Sequence, residues 1–159
     1  MSNPARTFAR SPLKIERMVQ AGIPRPGGAP SQGQPPRLLR VLVADDVPDA
    51  VTSLLELLRD EGHEVRGVYR GADVVDAVCE FSPDVVLLDI GMPGMDGYEV
   101  ARALRERYGS ARPALFAVTA RSKDADMLMS RLAGFDRHIT KPYDPRELMA
   151  SLADLHPDR

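Results

Sequence analysis

The chain has 159 residues, a formal net charge of −2, 43% hydrophobic residues and a single cysteine, Cys79. This is enough apolar material for one domain of common size plus an appendage, and it excludes an intrachain disulfide framework. No apolar run is long enough to span a bilayer, and the N-terminus, with Arg6 and Arg10, lacks the apolar core of a signal peptide, so a cytoplasmic protein is expected. The charge is unevenly spread. Residues 1–37 hold Arg6, Arg10, Lys14, Arg17, Arg25 and Arg37 against one acid, Glu16. The remainder is acidic, which argues against non-specific nucleic-acid binding by that part.

In chain order, the first segment with a pattern is Leu13 to Gln20, where Ile15, Met18 and Val19 would share one face of a short helix. Gly22 to Arg37 follows, with Pro24, Pro26, Pro30, Pro35 and Pro36 among Gly, Ser and Gln. That composition cannot build a core, so residues 1–37 read as a disordered, basic, Pro/Gly-rich N-terminal extension. From Leu38 the pattern alternates strand and helix. Leu39 to Ala44 is an apolar strand, and Val51, Leu54, Leu55 and Leu58 recur at helical spacing behind Pro48. Gly62 closes that helix. A strand over His63 to Tyr69 and a helix over Ala72 to Phe81 come next, the helix with Val75, Val78 and Cys79 inward. Val85 to Leu88 is apolar throughout, as a strand buried on both faces must be. Then come a helix from about Tyr98 to Tyr108, a strand over Ala114 to Val118, and a helix from about Lys123 to Ala133 closed by Gly134. Met127, Leu128 and Leu132 of that helix are expected in the core. A strand around Arg137 to Thr140 and a helix from about Pro145 to Leu155, with Leu148, Leu152 and Leu155 buried, complete the run. Repeated strand–helix units imply an α/β fold with a parallel sheet and helices on both faces.

The polar residues at the strand ends are the candidates for chemistry. The first strand runs into Asp45-Asp46, the third into Asp89, the fourth into Thr119, and the fifth into Lys141-Pro142. Carboxyl ends of parallel strands are where open α/β sheets bind ligands. A carboxylate can act as a nucleophile toward a phosphoryl group, and clustered carboxylates suit a hard cation such as Mg²⁺. Each residue also has a plainer reading. Asp45-Asp46 could cap the following helix, Thr119 could be an ordinary strand-end residue, and Lys141 could be a solvated lysine. Cys79 reads as a small core residue and His63 as a loop residue without chemistry.

This set closely resembles the receiver domain of bacterial two-component response regulators, over residues 38–159. The segment Asp89 to Gly97, with its Met-Pro and Met-Asp-Gly, is similar to that family's phosphorylation loop. The resemblance implies a flavodoxin-like, doubly wound, five-stranded parallel sheet of order 2-1-3-4-5. It implies that Asp89 is the phosphoacceptor. Mg²⁺, or Mn²⁺ in its place, would be held by Asp46, Asp89 and the Gly91 backbone carbonyl, with Asp45 acting through water. Lys141 would hold a phosphoryl oxygen, and Thr119 would close on the phosphoryl group. The implied partners are a histidine kinase or histidine phosphotransfer protein and a downstream protein target, with no nucleic acid and no membrane insertion. The implied catalysis is limited to the protein's own phosphorylation and dephosphorylation.

Departures from the family pattern also stand out. Its switch aromatic, commonly Tyr or Phe, is His138 here, smaller and titratable. Gly91 offers no side chain two residues after the acceptor, and Arg121 stands two residues after Thr119. Only His156 to Arg159 follow the last helix, so a single-domain response regulator, or a phosphorelay intermediate, is expected. A receiver cut from a hybrid kinase, a flavodoxin-like binder, a receiver used only for docking, and a haloacid-dehalogenase-type phosphatase are the alternatives. The last would need an acid at position 91, where Gly91 stands.

Overall fold

The computed structural model describes residues 37–155. The expected disordered extension over 1–37 and the helix around Leu13–Gln20 lie outside that range, apart from Arg37. Ten elements alternate along the described chain: β1 (Arg40–Ala44), α1 (Pro48–Asp60), β2 (Glu64–Val68), α2 (Gly71–Phe81), β3 (Val85–Leu88), α3 (Gly97–Tyr108), β4 (Ala114–Thr119), α4 (Asp124–Ala133), β5 (Arg137–Thr140) and α5 (Pro145–Ala153). The strands form one parallel sheet in the order β2-β1-β3-β4-β5. This is the doubly wound, flavodoxin-like order, with its switch point between β1 and β3.

The two-residue period of each strand sorts its side chains between two cores. Val41, Val43, Val85, Leu87, Phe116 and Val118 face α1 and α5, where Val51, Leu54, Leu58, Leu148 and Leu152 close over them. Leu42, Ala44, Val86, Leu88, Leu115 and Ala117 face the other way, onto Val74, Val78, Phe81, Val100 and Leu104 of α2 and α3. The central strands therefore have no polar face, which is why β3 reads as an unbroken apolar run.

Helix starts follow local chemistry. Pro48 and Pro145 sit in first turns, where a missing N–H costs nothing. Asp96 and Glu99 form a reciprocal capping box at α3: the Glu99 N–H donates to Asp96 at 3.0 Å, and the Asp96 N–H donates to Glu99 at 2.9 Å. Gly134 ends α4 at φ 103, and Ser82 ends α2 at φ 47, a left-handed residue that is not glycine.

Two expectations fail on the helices. Cys79 is exposed, with an Arg107 nitrogen 3.9 Å from its sulfur, because the buried stripe of α2 is Val74, Ala77, Val78 and Phe81. Met127, Leu128 and Leu132 are also exposed, Leu132 at 72%. The buried residues of α4 are Ser130 and Ala133. A helix with apolar residues around much of its circumference turns its small ones inward when it lies close to its neighbours.

Candidate functional site

The sheet register assembles the site. Ala44 pairs with Leu88, so Asp45 and Asp89 leave adjacent strands side by side, and the Asp89 N–H donates to the Ala44 carbonyl at 2.9 Å. Thr119 pairs with Thr140, which puts Lys141 next on the rim, its N–H donating to the Thr119 carbonyl at 2.8 Å. The carboxylates of Asp45, Asp46 and Asp89 come together, with one oxygen from each within 4.8 Å of the others. Asp45 is buried, Asp89 half-buried and Asp46 exposed. Thr119 is 1% exposed.

Asp45 uses both oxygens within the protein. One accepts the Val47 N–H at 2.9 Å, and the other is ion-paired with the Lys141 ammonium. It therefore braces the residue before α1 without capping the helix, contrary to the plainer reading, and it fixes the lysine of the site. The helix cap itself is Val47, without a side-chain bond. Asp46 makes no hydrogen bond to a described residue.

Burial pushes the Asp89 carboxyl above the ordinary carboxylate range, with Asp45 adding repulsion. Lys141, the Gly91 N–H and the Thr119 hydroxyl pull it back in part. An ionised Asp89 is thus incompletely compensated by the protein alone. Three clustered carboxylates, one poorly compensated, fit a hard divalent cation of the Mg²⁺ type. Gly91 lies against the acceptor candidate: a Cβ there would stand 3.6 Å from an Asp89 oxygen. Any side chain at this position would face the carboxylate, and here none does.

The loop from Ile90 to Asp96 is held at both ends. The Gly97 N–H donates to the Ile90 carbonyl at 3.1 Å. Across the loop, Gly71 passes Met95 so closely that a Cβ would meet its carbonyl oxygen at 2.0 Å.

His138 is partly buried and does not reach the acidic cluster. Its Nε2 lies 2.6 Å from the Arg121 carbonyl and its Nδ1 2.9 Å from the Ser130 hydroxyl. Arg121 is exposed, and its N–H donates to the Thr119 hydroxyl oxygen at 3.3 Å. His63 precedes β2 and accepts the Leu39 N–H at 3.2 Å, a structural role. Sequence reasoning missed Ser130. Its available signal was a small polar residue three positions before Ala133, on the face that α4 turns inward.

The model of the family described as "Response regulator receiver domain" matches residues 41–153. The chain belongs to that family, the receiver domains of two-component systems. Solved receivers agree. The beryllium-fluoride-activated DrrB receiver domain is 28% identical, with a TM-score of 0.64 over 73% of this chain and 95% of that one. A CheY-like receiver domain protein from Methanospirillum hungatei JF-1 is 26% identical, with a TM-score of 0.67 over 73% and 91%. The beryllium-fluoride-activated N-terminal receiver domain of Klebsiella pneumoniae RstA is 27% identical, with a TM-score of 0.67 over 71% and 94%. Receivers of this family typically bind Mg²⁺ at an acidic pocket, and the Asp45–Asp46–Asp89 cluster of this one has the matching composition. No helix among the described residues is long and apolar enough to cross a membrane.

Proposed function

We propose that this receiver, over residues 38–159, accepts a phosphoryl group on Asp89 and signals by a change in protein contacts or by onward transfer. The observation that carries this reading is the half-buried Asp89 carboxylate at the sheet's switch point, flanked by Asp45 and Asp46 and backed by Lys141 and Thr119. The donor is a histidine kinase or histidine phosphotransfer protein in the cytoplasm. An Asp89 carboxylate oxygen forms the new bond to phosphorus as the phosphorus–nitrogen bond breaks, and the leaving imidazole takes up a proton. Lys141 turns from Asp45 toward a phosphoryl oxygen and holds it as a point charge. Thr119 donates its hydroxyl to another oxygen. Asp46, Asp89 and the Gly91 carbonyl would hold Mg²⁺, with Asp45 contributing through water. When bound there, the ion would supply charge neutralisation for the transferring group. In the protein's own dephosphorylation a water oxygen bonds to phosphorus as the Asp89 oxygen–phosphorus bond breaks, which releases inorganic phosphate and restores the carboxylate. Thr119 and His138 form the switch.

Incubation with acetyl phosphate and Mg²⁺, followed by intact-mass measurement, tests the reading. A gain of one acid-stable, base-labile phosphoryl group is expected, and no gain would sink it.

The metal assignment gives a ranking. Asp46→Ala is expected to weaken Mg²⁺ binding more than tenfold, because it removes a direct oxygen ligand. Asp45→Ala should weaken it less, since both Asp45 oxygens already serve Val47 and Lys141. It should instead lower the melting temperature, by leaving Lys141 without its ion-pair partner. Calorimetric titrations that reversed the order of the two variants would refute the ligand set.

A further inference from the structure

Helix α4 is weakly held by apolar packing. Its large side chains Met127, Leu128, Met129 and Leu132 are exposed, and its N-cap, Lys123, makes no side-chain bond. What fastens it is polar, and the two ends differ. At the C-terminal end the largely buried Arg105 donates to the Gly134 carbonyl at 2.9 Å and pairs with Asp136 at 2.8 Å. Farther along the helix the ties run through two hydroxyls. Ser130, 1% exposed, can donate within the helix to the Asp126 carbonyl at 2.9 Å and leaves the helix to meet His138 Nδ1 at 2.9 Å. The Tyr98 hydroxyl reaches the same Asp126 carbonyl at 3.4 Å.

The donors along this chain can be assigned. The Arg121 carbonyl only accepts, so His138 Nε2 carries a proton toward it. In a neutral ring Nδ1 then offers a lone pair, and the single Ser130 proton is shared between that lone pair and the Asp126 carbonyl, both 2.9 Å away. The bonds run from the β4–α4 loop at Arg121, through the β5 imidazole, into the middle of α4. At the loop end, Arg121 is joined to Thr119 by its own N–H.

We propose that Ser130 is a positioning residue that couples α4 to the β4–α4 loop through His138, so that a displacement of Thr119 reaches α4 as a movement about its Arg105-anchored end. This deepens the reading of Thr119 and His138 as the switch, and rests on it. In this protein the imidazole is held between two fixed partners, so the loop, β5 and α4 shift together. A freely rotating ring would leave α4 behind.

The test uses the full-length wild type, Ser130→Ala, His138→Phe and the double variant. In the unliganded proteins, hydrogen exchange of the α4 amides between Met127 and Ala133 is expected to quicken roughly fivefold in Ser130→Ala, about what one net hydrogen bond is worth. The His138 Nδ1 resonance should move as its partner is lost. The double variant should exchange no faster than the faster single variant, because both substitutions break one chain. Unchanged α4 exchange and an unmoved Nδ1 resonance in Ser130→Ala would overturn the proposal, whatever Asp89 does. With beryllium fluoride bound at Asp89, wild-type amide shifts should extend from Thr119–Ser122 into α4. In Ser130→Ala the loop shifts should persist and the α4 shifts should shrink severalfold. Full α4 shifts in that variant, or none in a wild type with proven occupancy, would also overturn it. A wild type that takes up neither beryllium fluoride nor a phosphoryl group would instead refute the phosphoacceptor reading, with the exchange result still deciding the role of Ser130.

Discussion

Asp89→Asn is expected to abolish the phosphoryl mass gain completely and to leave the metal-free protein more stable than the wild type at neutral pH. The first effect follows from losing the nucleophilic oxygen. A variant that still gained a phosphoryl group would place the acceptor elsewhere. The second follows from electrostatics. Burial, reinforced by Asp45, raises the Asp89 carboxyl above its ordinary range despite Lys141, Gly91 and Thr119. A carboxyl raised in this way binds its proton more tightly in the folded protein than in the unfolded chain. Its favourable contribution is complete below the ordinary carboxylate range and is lost as pH rises through the folded value. Above that value the ionised group costs stability, and the neutral amide of asparagine does not carry that cost. The gain should therefore show in the melting temperature at pH 7 with chelator present, and vanish near pH 3. Equal melting temperatures at pH 7 would contradict the burial argument.

Gly97→Ala should be nearly as damaging to phosphorylation, although residue 97 carries no chemistry. A Cβ there would stand 2.6 Å from the Asp89 carbonyl oxygen and 2.7 Å from the Ile90 Cα. Both are backbone atoms of the segment that aims the acceptor, so relief must come from moving that segment or the first turn of α3. A cost of about 2–3 kcal/mol is expected for overpacking of this kind. A displaced carboxylate should slow phosphoryl transfer on the order of 100-fold. Gly94→Ala is the informative comparison. Gly94 has φ +78 but open space around its Cβ position, so it should lose only about 1 kcal/mol of backbone strain energy and keep most of the rate. Urea midpoints and acetyl phosphate labelling rates separate the two. A Gly97→Ala protein with wild-type values of both would show that the loop can yield there.

Much of this molecule is legible in its residues because the central strands admit no ambiguity. Val85 to Leu88 is apolar at every position, so it must be covered on both faces, and Asp89 then marks its end. The strand order came from family resemblance, since it depends on which strands pair and not on any one strand's pattern. The helix faces were harder. In α4, Met127, Leu128 and Leu132 offered a plausible apolar stripe, but Ser130 and Ala133 are the residues turned inward. Periodicity identifies a face only when the opposite face is polar. The approach of neighbouring elements decides the remaining cases, and that approach is not written locally. For the same reason the bond from Ser130 to His138 could not be read from two positions in different elements.

The two rims of the sheet show how the fold limits its own growth. β2 and β5 are the outer strands, and each carries an arginine tied to a neighbouring helix. Arg66 pairs with Glu80 at 2.7 Å, and Arg137 pairs with Asp154 at 3.2 Å. Both pairs are substantially exposed, and neither need contribute much to folding energy. Their position matters more. A strand of a neighbouring molecule seeking the free backbone groups of either edge would have to crowd or bury a guanidinium together with its carboxylate. A sheet whose interior strands are largely apolar thus carries an ion pair on each outer strand, an arrangement that disfavours pairing edge to edge.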